Sequence, residues 1–158
     1  MEGTHPATST REAQRAMDRF VGTSHLAQQE IARRLGLNPA DLTCFLYVLE
    51  AGVEPLTAGE LAERAQVTSG AVTGILNRLE RAGFVARQDD PSDRRRVRVI
   101  AEPAALTRVY AAYEPLNGRL AALYADYSPA ELAVLGDFFR RAHTLVHGYL
   151  EEARHRAA

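Results

Sequence analysis

Apolar residues recur every three or four positions over most of this chain, and polar signals mark where each run starts and stops. Ser9 and Glu12 form a capping box opening a helix of about 25 residues. Its stripe is Ala13, Ala16, Phe20, Ala27, Ile31 and Leu35, and Gly36 ends it. Asn38 with Pro39 starts a second helix through "PADLTCFLYVLEAG", stopping near Gly52. Thr57 and Glu60 make another capping box for a short helix to Ala65. Thr68 caps the next helix, whose Val72, Ile75, Leu76 and Leu79 share one face before Gly83 closes it. The period then shortens, and "FVARQ" and "VRVIA" predict two strands around a turn. Pro103 begins a fifth helix that carries Leu106, Val109, Tyr110, Tyr113, Leu116, Leu120, Leu123, Tyr124 and Tyr127. The stripe keeps its phase across Pro115, so the pattern predicts a kink there rather than an end. Ser128, Pro129 and Glu131 open a last helix running nearly to the C-terminus.

The expected fold is mainly α with a small β-hairpin wing. Residues 37–102 form a winged helix-turn-helix core, flanked by long helices in 9–36 and 103–156, and residues 1–8 are expected to be disordered. Three long helices with wide apolar stripes exceed what a small hairpin domain can cover. They need each other or a second subunit, which makes regions 9–36 and 103–156 the expected dimerisation helices.

Composition removes several classes of function. No apolar run is long enough for a membrane span, and "MEGTHPATSTREAQ" lacks the layout of a secretory signal. One cysteine, Cys44, leaves no internal disulfide, so a cytoplasmic location is expected. All nineteen basic residues are arginine, which excludes chemistry that needs a lysine nucleophile or phosphate clamp. With no Ser/His/Asp arrangement, glycine-rich phosphate loop or paired catalytic carboxylates, neither an enzyme nor a cofactor is expected. Charge is unevenly placed: residues 68–98 hold seven arginines against four acids, within a chain of net charge −1. That asymmetry points to a polyanionic partner.

The tandem helices of 57–83 have helix-turn-helix spacing. Opposite the apolar face of the second helix stand Ser69, Gly70, Thr73 and Asn77, all short. Short polar side chains let a helix approach the floor of a DNA groove and reach base edges. The helix N-terminus with the Thr68 and Ser69 hydroxyls suits a phosphate, and Arg78 joins the candidate contact set. Arg94, Arg95 and Arg96 fall at the hairpin tip, where arginine suits a narrow minor groove, and Asp93 is placed to hold Arg95 in a bidentate pair.

The stretch "LTAGELAERAQVTSGAVTGILNRLERAGFVARQDDPSDRRRVRV", residues 56–99, resembles the winged helix-turn-helix core of the MarR (multiple antibiotic resistance regulator) family. The resemblance implies a homodimeric regulator, a repressor, binding double-stranded DNA at a pseudo-palindromic operator. It implies that the helix of 68–82 enters the major groove and that Asp93 with Arg95 serves the minor groove. It also implies a small-molecule effector, for which Phe20, His25, Tyr47, Tyr110 and Tyr113 are the candidate lining residues. Where the family often has "LT-x-x-G" after the second wing strand, this chain has "IAEPAALT".

Competing readings are a protein-interaction module without a DNA site and a redox-sensing regulator using Cys44. The apolar setting "TCFLYVL" argues for an inert thiol. The Asp89, Asp90, Asp93 loop lacks the glycine and distal glutamate of a calcium site. His143 and His147 are too few for zinc, so no metal is expected.

Overall fold

The computed structural model describes residues 9–90 and 96–157. The expected disorder of residues 1–8 lies outside them. Apart from β1, the elements follow the predicted order: α1 (Thr10–Leu35), α2 (Pro39–Ala51), β1 (Leu56–Thr57), α3 (Ala58–Ala65), α4 (Ser69–Arg81), β2 (Val85–Asp89), β3 (Val97–Ala101), α5 (Pro103–Tyr124) and α6 (Pro129–Ala157).

Local chemistry fixes the helix ends. Both predicted capping boxes at Ser9/Glu12 and Thr57/Glu60 form, as does the one at Ser128/Glu131. Asn38 and Thr68 accept from the backbone N–H of Asp41 and Ala71. Gly36 closes α1 in the left-handed region at φ 71°, where a side chain would be strained. The corresponding position at the end of α3 is Gln66, at φ 56°, which turns the chain from α3 towards α4. α5 continues past Pro115 rather than ending there, as the phase of its stripe predicts.

The three strands form one antiparallel sheet in the order β1-β3-β2. Val85 faces Ala101 and Asp89 faces Val97 in the hairpin, while Leu56 and Thr57 pair with Val99 and Arg98. The two-residue β1 is the element the sequence pattern does not announce.

The described chain divides into two compact units at Pro115/Leu116. In the first, Leu42, Phe45, Leu61, Val72, Ile75, Leu76, Leu79, Phe84, Val85 and Val99 form the core, joined by Ile31, Ala32 and Leu35 of α1 and by Ala105 and Val109 of α5. Phe45 and Phe84 meet edge to face with ring centres 5.2 Å apart. Every apolar position predicted to face inward on α4 is buried here. α1 joins this core only through its last turns, since Phe20, Val21 and Leu26 are exposed. The second unit, from Leu116 onward, holds the end of α5 and all of α6; its Leu123, Tyr124, Val134, Phe138, Phe139, Leu145, Val146 and Tyr149 are exposed.

Candidate nucleic-acid interface

Burying Val72, Ile75, Leu76 and Leu79 turns the opposite face of α4 outward. Thr68, Ser69, Gly70, Thr73, Asn77 and Arg78 are all exposed. A methyl group built on Gly70 would meet nothing within 4 Å, so this stretch of the helix is open. The Thr68 hydroxyl accepts from Ala71 N–H at 3.2 Å, and the Thr73 hydroxyl donates to the Ser69 carbonyl at 2.9 Å.

Several side chains of this face are already engaged. Arg78 Nε and Nη2 donate to the two oxygens of Asp41 at 2.9 and 2.6 Å, a bidentate pair joining α4 to α2. Asp41 is buried and also accepts from Asn38 Nδ2 at 2.9 Å. The hydrogen-bonded carboxylate holds the Arg78 guanidinium above its ordinary pKa. Arg78, expected among the DNA contacts, thus also ties α4 to α2. Asn77 is held from the sheet side: Arg87 Nη2 donates to its Oδ1 at 2.8 Å, and Arg87 Nη1 pairs with Glu80.

The base of the wing is knitted in the same way. Arg96 Nη2 donates to Glu60 Oε1 at 2.8 Å. The Glu60 carboxyl lies below its usual range, chiefly because the Thr57 backbone and hydroxyl donate to it, with Arg96 and Arg98 adding to the effect. Arg98 Nε donates to the buried Asp90 at 2.7 Å, and its Nη1 to the Pro55 carbonyl at 2.6 Å. Asp90 therefore anchors the base of the wing. Asp93, Arg94 and Arg95 lie outside the described residues. Of the five described arginines in 68–98, Arg78, Arg87, Arg96 and Arg98 have carboxylate partners, so much of the described positive charge is balanced within the fold. None of these partners was legible in the sequence, because Asp41, Glu60 and Asp90 reach their arginines only through the tertiary fold.

The candidate effector residues are scattered in exposure. Tyr47 and Tyr113 are half-buried against the core, while Phe20 and Tyr110 are exposed. His25 is exposed and shares a 2.9 Å hydrogen bond with Gln29. A cleft of about 580 Å³ at the wing base is lined by other residues, among them Val53, Pro55, Asp90 and Arg98. Cys44 is buried, and its thiol is pushed up to about 11 by burial and the Asp41 charge, against the opposing pull of Arg78. His143 and His147 lie on exposed turns of α6 with ring centres 6.2 Å apart. Among the described residues no three His, Cys, Asp or Glu side chains gather at metal-binding distance, and no helix is long and apolar enough to cross a membrane.

The MarR family model matches residues 53–97, from the loop before β1 to the start of β3. The uncharacterised HTH-type transcriptional regulator YcgE of Bacillus subtilis is 36% identical over 137 residues, covering 86% of this chain and 88% of YcgE. The chain belongs to the MarR family. It is a DNA-binding transcriptional regulator of the winged helix-turn-helix type. The chain is also similar to the HTH-type transcriptional repressor YetL of the same organism, 28% identical over 122 residues, 75% of this chain and 72% of YetL. Among solved structures, a mutant of S. aureus MepR bound to an oligodeoxyribonucleotide shares the fold with a TM-score of 0.60 at 17% identity, covering 84% of this chain and 97% of that one.

Proposed function

We propose that this MarR-family protein is a homodimeric repressor that binds a pseudo-palindromic operator and is released by a small-molecule effector. The observation that carries the reading is the open polar face of α4, with Ser69, Gly70, Thr73 and Asn77 outward and four buried apolar residues behind them. In this reading α4 enters the major groove, with Thr68 and Ser69 at a phosphate, and Asp93, Arg94 and Arg95 serve the minor groove. Arg78 and Arg96 support these contacts from their ion pairs with Asp41 and Glu60. The wide exposed apolar face of α6 supports the dimer, and a two-fold dimer calls for two half-sites about one helical turn apart. Likeness to YetL, named a repressor, supports the sign of regulation. The half-buried Tyr47 and Tyr113 are the effector-lining candidates that the packing favours.

The test is selection of bound sequences from random duplexes by the purified protein at about 150 mM salt, where nonspecific binding is weakened. An inverted repeat is the expected product. With that operator in hand, Arg95→Ala weakens binding by about 1–3 kcal/mol. A pool that never enriches overturns the operator reading, and unchanged affinity of the Arg95 variant overturns the wing assignment.

A further inference from the structure

The contact between Arg87 and Asn77 decides which atoms of Asn77 remain for a ligand. A guanidinium has hydrogen-bond donors and no acceptor, so only the amide oxygen of Asn77 can face it. That oxygen accepts from Arg87 Nη2 at 2.8 Å, and Glu80 fixes the same guanidinium through Nη1. Asn77 is exposed, and its Nδ2 amino group, with two hydrogens, is the part left to point away from β2. An unrestrained asparagine reads adenine by accepting from N6–H with its oxygen while donating to N7. Here Arg87 already occupies one lone pair of the oxygen that would accept from adenine and holds the amide turned towards itself, so the two-point match is disfavoured. Guanine presents two acceptors in the major groove, N7 and O6, which suit an amino group whose oxygen is tied back.

We propose that Arg87 is a specificity-determining residue: it makes Asn77 a donor-only reader, so the base pair under Asn77 in each operator half-site carries guanine. This rests on α4 being the element that reads the major groove. Arg87 sits on the first strand of the wing hairpin, so the hairpin sets base preference at a position it does not itself contact.

The experiment is the same selection from random duplexes, run in parallel on the wild-type protein and on Asn77→Ala, Arg87→Leu and Asn77→Asp. The wild type enriches guanine in one column of each half-site. Asn77→Ala flattens that column, losing roughly tenfold discrimination while the other columns persist. Arg87→Leu frees the oxygen and moves the column to adenine. Asn77→Asp keeps a partner for Arg87 but presents only acceptors, and moves the column to cytosine, whose N4 amino group donates. The exposed position 77 makes this variant decisive if Arg87→Leu does not fold. A wild-type operator whose columns ignore changes at both positions overturns the proposal and leaves the operator reading intact. A column that keeps guanine in Arg87→Leu or Asn77→Asp overturns it too. A wild-type pool that never enriches removes both readings together.

Discussion

Cys44 sits one turn after Asp41 on α2, with its side chain in the core. Burial disfavours a thiolate there, and the neighbouring carboxylate adds to the penalty. The folded thiol titrates at about 11 against 9.0 for a free one, so the folded state holds its proton longer than the unfolded state. The sign follows by linkage: the stability this confers is complete below pH 9 and is lost as pH rises towards 11. The unfolding midpoint of the wild type therefore falls more steeply between pH 9 and 11 than that of Cys44→Ala. At pH 8 the native thiol resists a disulfide reagent that labels the urea-unfolded chain at once. Rapid stoichiometric labelling of the native protein would restore the redox-sensing alternative.

Helices were the readable elements of this chain because their ends carry short-range chemistry. Ser9 with Glu12, Thr57 with Glu60, Ser128 with Glu131, and the caps Asn38 and Thr68 all act within three residues, so sequence spacing exposes them. β1 is two residues long and has no period to read; it exists because Leu56 and Thr57 find partners on β3. The polar face of α4 was readable as a face, but the states of its side chains were not. Asp41 and Arg78 are 37 residues apart, and the bonds that tie Arg78 and Asn77 cross between elements. The joint between α5 and the end of α4 is a further example. Arg108 stacks 4.2 Å from the centre of the Phe84 ring and donates to the carbonyls of Ala82 at 3.1 Å and Leu35 at 3.4 Å. One α5 side chain thus satisfies carbonyls just past α4 and at the end of α1, where a cation is favoured by the helix dipoles. Arg108→Ala is expected to cost about 1 kcal/mol of stability, as lost stacking and exposed hydrogen bonds together predict. Arg108→Lys keeps the charge but not the planar fork, so its urea midpoint falls between the two. An unchanged midpoint in Arg108→Ala would remove this joint from the account.

At the scale of the whole molecule the unresolved demand is the apolar surface of the second unit. α6 spans 29 residues, and along it Val134, Phe138, Phe139, Leu145, Val146 and Tyr149 are each about half exposed or more. An exposed apolar patch of this extent is of the kind that calls for a partner, and helical stability in water comes mostly from packing an amphipathic face against something. A second copy is the occupant the proposed operator symmetry also requires, since two α4 helices must present themselves to two half-sites at once. Light scattering is then expected to give twice the chain's mass, and the thermal midpoint rises with protein concentration, as association with the folded state demands. Leu145, 72% exposed, and Val146 are the positions to charge. Replacing both with glutamate leaves the core of the first unit untouched, because neither residue belongs to it. The doubly charged variant runs as a monomer and keeps the helical signal of α1 to α4. It binds a single half-site as the wild type does, but loses the extra affinity of the full inverted repeat, because the second contact is no longer made within one complex. A monomeric wild type, or a monomeric variant with undiminished affinity for the full operator, would remove the dimer from the mechanism.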